Sequence, residues 1–135
     1  MRSPPSSRHP SSTSRQRLGR ESEQLAIRLL ASRGYRVERT NVRVPVGEID
    51  VVAWEGQTLC FVEVRSTTSE RWGGAQASIT WPKQRRLIRA AQWYLSRLRP
   101  LPAQVRFDVV AIGWDGPRAP RAELIPGAFT ADGID

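Results

Sequence analysis

Along the chain the spacing of apolar residues switches between a helical and a strand period, and the switches outline the elements. From Leu18 to Arg33 the spacing is helical. At roughly 100° per residue, Leu25, Ala26, Ile27, Leu29 and Leu30 fall on one arc, and Gly34 follows where a C-cap residue belongs. Glu23 falls inside that arc, below Ile27 and Leu30, while Glu21 points away. An acid on the buried side of a helix demands a partner. Tyr35 to Val44 reads as a strand. Asp50 to Trp54 and Leu59 to Val64 read as two more, joined by a Glu55-Gly56-Gln57-Thr58 hairpin turn. Ser66 to Trp81 is a polar loop containing Gly73-Gly74, of a length usually kept for function. Pro82 suits the first turn of a second helix running to about Leu98, before Pro100. Arg106 to Trp114 is a further strand, and Arg121 to Ile125 a short last one. The core order α-β-β-β-α-β predicts an α/β domain, a mixed sheet flanked by helices.

The hairpin carries the chemistry. A two-residue loop centred on Gly56-Gln57 makes Glu55 face Thr58, which places Asp50 opposite Glu63 and Glu48 opposite Arg65. Carboxylates opposed across a ladder stand roughly 5 Å apart at Cβ and repel unless something positive lies between them. Moving the turn to Glu55-Gly56 makes the pair diagonal but keeps both acids on one face. With Glu23 as a third carboxylate, oxygen donors and no His or Cys select a hard cation, Mg²⁺ or Mn²⁺. The Val64 carbonyl is a natural extra ligand. Arg65 shares the Glu63 face and suits a scissile phosphate, but its guanidinium cannot act as a general base. Bland alternatives stay open at this stage: a Glu48–Arg65 cross-strand salt bridge, Asp50 bound to backbone, and Glu23 neutralising a nearby Arg.

Charge adds a partner class. The net charge is +8, from 21 basic and 13 acidic residues, and Lys83 is the only lysine. Arg bias also follows from a GC-rich genome, but a strongly basic chain with a small acidic cluster suits a polyanion. On the second helix Leu87, Ile88, Ala91, Tyr94, Leu95 and Leu98 form the apolar stripe. Lys83, Arg85, Arg86, Arg89 and Arg97 take the other face, with Trp93 among them. No acid occurs between Trp72 and Val105, whereas a face tuned only for stability mixes charges at i,i+4. Lys83, Arg85, Arg86, Arg89 and Trp93 are therefore the candidate nucleic-acid contacts. The single Cys60 excludes a disulfide framework, and the single His9 lies in the tail, which excludes ordinary zinc spacing. Residues 1–17, rich in Ser, Pro and Arg, are expected to be a disordered tail, and 130–135 a short C-terminal one. With no apolar run of membrane length and no secretory leader, the expectation is a cytoplasmic protein.

These motifs fall in a recognisable order: Gly19-x-x-x-Glu23-x-Leu25-Ala26, Gly34-Tyr35, Asn41-x-Arg43, Gly47-Glu48-Ile49-Asp50, Phe61-Val62-Glu63-Val64-Arg65, Lys83-Gln84-x-x-Leu87 and Arg106-Phe107-Asp108-Val109-Val110. The series resembles the YraN family of small bacterial proteins, which are similar to Holliday-junction resolvases and other PD-(D/E)XK nucleases. The resemblance spans about residues 18–129. It implies a restriction-endonuclease-like fold in which Asp50 and Glu63 are the strand acids and metal ligands, and Glu23 the helix acid. Arg65 stands where the nuclease motif has Lys; it keeps the charge and changes the reach. The implied activity is Mg²⁺-dependent endonucleolytic cleavage of branched or structured DNA by Glu23, Asp50, Glu63 and Arg65. The other reading is a non-catalytic nucleic-acid binder that keeps the fold. The expected partner is nucleic acid, DNA ahead of RNA, with a homodimer called for if cuts are paired.

Overall fold

Strands with β-branched and aromatic residues on both faces need cover on both faces, and this chain supplies one helix for each. The computed structural model describes residues 10–68, 79–114 and 118–131. Its elements are α1 (Pro10–Ser32), β1 (Arg36–Val44), β2 (Gly47–Glu55), β3 (Thr58–Thr67), α2 (Trp81–Ser96), β4 (Gln104–Gly113) and β5 (Arg121–Phe129). The sheet runs β1-β2-β3-β4-β5, with β3 and β4 parallel across the α2 crossover and every other pair antiparallel. This is the mixed α/β architecture expected from the sequence, extended by β5, and it is consistent with a nuclease-like fold.

The hairpin turn falls on Gly56-Gln57: Glu55 pairs with Thr58, and Gly56 takes the left-handed φ of 59° that such a turn requires. Gly34, at φ 90°, ends α1 as expected. Thr80 caps α2, its hydroxyl accepting from the Lys83 N–H, with Pro in the first turn. Two expectations on boundaries shift. The last strand runs to Phe129 rather than Ile125, because the Gly127 N–H donates to Asp108 Oδ1 and holds the chain against β4 past Pro126. The helical backbone of α1 begins at Pro10 rather than near Leu18. Pro at the start of a helix is no obstacle, and with no Gly or Pro between Ser11 and Leu18, extending an existing helix costs far less than nucleating one. The first nine residues with His9, most of the Ser66–Trp81 loop with Trp72 and Gly73-Gly74, and residues 132–135 lie outside the described residues.

Two apolar layers result. On one face Ala26 and Leu30 of α1 pack with Tyr35, Val51, Ala53, Cys60, Val62, Val110 and Ile112. On the other, Leu87, Ile88, Ala91 and Tyr94 of α2 pack with Val42, Ile49, Val52, Leu59, Phe61 and Phe107. Phe61 meets Tyr94 edge-on at 5.7 Å and Phe107 at 5.9 Å. The α1 layer also encloses a polar knot. Asp108 is fully buried; it accepts from Arg106 Nε (2.8 Å), the Tyr35 hydroxyl (2.8 Å) and the Gly127 N–H. Arg106 also reaches Glu55 at 2.7 Å. Burial alone raises a carboxyl, but here Arg106, the Gly127 N–H and Tyr35 outweigh it and hold Asp108 below the ordinary range. Among the described residues no helix is long and apolar enough to cross a membrane.

Candidate active site

The site is built where β1 and β2 change faces together. Ile49 packs in the α2 layer and Val51, only two residues on, in the α1 layer, although strand residues two apart normally share a face. Across the ladder, Val42 pairs with Ile49 and Thr40 with Val51, so the residues between them, Asn41 and Asp50, sit at the flip. Asn41 supplies the twist with a left-handed φ of 52°, which Asn tolerates better than most side chains. Its Nδ2 donates to Glu23 Oε1 at 2.9 Å and ties the flip to α1.

Pairing between β2 and β3 is regular from Glu55–Thr58 to Val51–Val62. The ladder ends there, so the expected Asp50–Glu63 and Glu48–Arg65 pairs are not part of it. At that level the side chain of Asp50 enters: its Oδ2 accepts the Val64 N–H at 2.8 Å. One carboxylate oxygen is thus taken by backbone. On the β1 side Glu48 pairs with Arg43.

Asp50 divides the cleft into two chambers. One, of about 750 Å³, opens toward α1 and is lined by Arg20, Ser22, Glu23, Asn41, Arg43, Glu48 and Asp50. The other, of about 210 Å³, opens under α2 and is lined by Glu48, Asp50, Glu63, Lys83 and Arg86. Gly47 forms its floor: a β-carbon there would stand 3.8 Å from the Arg86 carbonyl oxygen and 3.9 Å from Ala90 Cβ. Asp50 and Glu63 share the α2 chamber, while Glu23 lies in the α1 chamber on the far side of Asp50. Among the described residues no group of three or more Asp, Glu, His or Cys stands close enough to hold a single ion.

Both central carboxyls resist ionisation. Burial pushes Asp50 up to about 6; the Val64 N–H opposes this, Glu48 and Glu23 add to it, and Lys83 opposes it. Burial pushes Glu63 up to about 7, Asp50 adds to it, and Lys83, Arg65 and Arg86 pull the other way. These cations leave the pair under-compensated, which is the condition that favours an added positive ion. The donor set fits Mg²⁺ or Mn²⁺: two hard carboxylates suffice, because Mg²⁺ keeps several waters and takes the rest of its shell from substrate phosphate. It does not form a three-carboxylate cage.

Of the basic residues singled out from the sequence, Lys83 and Arg86 turn into the α2 chamber, whereas Arg85 and Arg89 lie exposed on the outer face of α2. Trp93 is half-buried lower on the helix. Three residues escaped the sequence reading as site residues: Arg20, Asn41 and Arg43. Two signals were available: Asn41-x-Arg43 stands among the motifs that carry the resemblance, and Asn is a poor strand former that marks backbone irregularity.

The sequence profile of the uncharacterised protein family UPF0102 matches residues 22–112. A UPF0102 protein of Desulfosudis oleivorans is 45% identical over 119 residues, covering 87% of this chain and 94% of its own. One from Anaeromyxobacter dehalogenans is 46% identical over 120 residues, 88% of each chain. A third, from Syntrophotalea carbinolica, is 42% identical over 116 residues, 86% of this chain and 94% of its own.

Proposed function

The chain belongs to the UPF0102 family, the one its motifs resemble under the name YraN, and from that premise we propose that it is a nucleic-acid-binding protein that hydrolyses phosphodiesters in branched or structured DNA with Mg²⁺ or Mn²⁺. The observation that carries this reading is the under-compensated Asp50–Glu63 pair in a chamber rimmed by Lys83 and Arg86. Asp50 and Glu63 would hold the ion, which supplies charge neutralisation at the phosphate and a more acidic water. Asp50 is oriented for this by the Val64 N–H, which fixes one oxygen and leaves the other. Lys83 and Arg86 hold phosphate oxygens at the chamber mouth, and Arg65, on the Glu63 face of β3, adds to the positive field there. Glu23, held by Asn41, keeps the field at Asp50 negative from the α1 side, and so favours water or an ion there.

The test is incubation of the full chain with labelled four-way junctions, flaps and single strands in Mg²⁺, Mn²⁺ or EDTA. Cleavage that needs the ion and disappears in Asp50→Asn and Glu63→Gln is the expected result; cleavage that survives both changes rejects the mechanism. A second reading, a non-catalytic binder of the same nucleic acids, is favoured by Arg65 in the position of a lysine and by the lack, among the described residues, of three Asp, Glu, His or Cys side chains grouped closely enough to hold one ion. It predicts salt-dependent DNA affinity that is indifferent to the ion.

A further inference from the structure

Below the acidic chambers, β1 and the second half of α2 enclose a groove of about 450 Å³ along the outer edge of the sheet. Arg39 and Arg43 of β1 and Trp93 and Arg97 of α2 line it, with Val42 and Leu98 adding apolar surface. The geometry points to this groove as the track for a single-stranded arm of the nucleic-acid substrate, leading out of the acidic cleft. This rests on the nucleic-acid reading above and adds to it a path and a strand type.

Charge is the first argument. Three guanidinium groups line the groove against one acid, Glu38. That acid is engaged internally: its Oε1 accepts from Trp54 Nε1 at 2.6 Å and its Oε2 from the Tyr94 hydroxyl at 3.4 Å. The groove is therefore a net cationic channel rather than a balanced surface, as a phosphate backbone requires.

Stacking chemistry is the second. Arg97 lies over the Trp93 ring, its Cζ 3.9 Å from the centroid. The pairing holds a flexible cation in place and puts an aromatic beside it, the combination that grips single strands without reading their sequence.

Continuity is the third. Arg43 lines both this groove and the Glu23–Asp50 chamber. On the other wall Arg86 and Trp93 of α2 and its C-cap Arg97 succeed one another at steps of seven and four, a stripe about 16 Å long that begins in the Glu63 chamber. A strand leaving the carboxylates thus meets a cation or an aromatic on both sides along its way.

Fluorescence anisotropy of the full chain tests this with three labelled probes in Mg²⁺-free buffer: a blunt duplex, the same duplex carrying a single-stranded arm, and the arm alone. The wild type should bind the armed duplex about tenfold more tightly than the blunt one. Arg39→Glu combined with Arg97→Glu should erase that preference, lowering blunt-duplex affinity far less, and Trp93→Ala should weaken the armed probe by about tenfold. With bromodeoxyuridine in the arm, ultraviolet light should crosslink it to the peptide containing Trp93. A wild type that binds the blunt duplex but gains nothing from the arm overturns the groove alone. So does a charge reversal that weakens all three probes equally, or a crosslink to another peptide. A wild type that binds none of the probes overturns the nucleic-acid reading and the groove with it.

Discussion

Replacing Asp50 by Asn should make the metal-free protein more stable at alkaline pH, although it removes a charged residue from a hydrogen bond. The substitution keeps shape and an acceptor for the Val64 N–H, so the bond of 2.8 Å survives. It removes a carboxylate that folding holds near a pKa of 6, against 3.8 when unperturbed. The difference of about two units corresponds to roughly 3 kcal/mol at 1.36 kcal/mol per unit, and partial solvent screening reduces this to about 1–2 kcal/mol. The sign follows from proton linkage. A carboxyl raised in the folded state binds more protons folded than unfolded between about pH 4 and pH 6, so wild-type stability falls as pH rises through that window. Glu63, raised to about 7, extends the fall toward neutrality.

Thermal melts in EDTA at pH 4 and pH 8 read the effect directly. At pH 8 the Asn variant should melt roughly 4–8 °C above wild type, and at pH 4 the two should nearly coincide. Mg²⁺ should then reverse the order at pH 8. Wild type gains about 2.7 kcal/mol at a hundredfold excess over the dissociation constant, and the variant, lacking one ligand, gains little. An Asn variant that melts below wild type at pH 8 in EDTA would refute the reasoning. It would mean that the lysine and arginines already satisfy the carboxylate, with nothing left for a cation to do.

Other expectations are more local. Arg106→Gln strands Asp108 in the α1 layer without its guanidinium and should cost about 3–5 kcal/mol in urea unfolding, whereas Tyr35→Phe, which removes one donor, should cost about 1–2 kcal/mol. The Cys60 thiol is buried and raised to about 12, so a thiol reagent should label it only in denaturant. In duplex binding, Arg86→Ala should lower the slope of log affinity against log salt by about one, the loss of a single phosphate contact.

The sheet, both helices and the hairpin register were legible because each rests on local rules: period, a turn glycine, a proline opening a helix. Counting from Gly56-Gln57 gives the register as far as Val51–Val62, and Asp50 and Glu63 lie just beyond it on the shared chamber. What the sequence hid is non-local. Alternation assigns Ile49 and Val51 to one face, and nothing but the left-handed Asn41 across the ladder separates them. That flip sets Asp50 as a partition, with Glu23 on one side and Glu63 on the other, where the sequence suggested one pocket. Lys83 read as one of several nucleic-acid contacts on a basic helix face; only the approach of α2 over Gly47 brings it to the carboxylates. Helix periodicity fixes the direction of a side chain about its own axis but not the element it meets.

The same sheet contains two acidic sites of opposite character, and the comparison bears on function. Asp108, fully buried, is lowered below its ordinary range, because a guanidinium, a phenol and a backbone N–H all point at it. Asp50 is raised by burial, because the one N–H it receives does not offset that burial while Glu48 and Glu23 add to it. The chain can therefore satisfy a buried carboxylate fully, with Arg106 of β4, Gly127 of β5 and Tyr35 between α1 and β1, and it does not do so at Asp50. Stability cannot account for that, since an Asn at this position would keep the backbone bond and shed the repulsion. A site left under-compensated beside one that is complete is where a fold departs from its own local rules, and such departures mark places selected for binding something the chain itself lacks. Under the proposed function that something would be a hard cation, suited to two oxygen-donor side chains with no His or Cys beside them, and the arginine-lined walls leading away from it would hold the polyanion on which the cation acts.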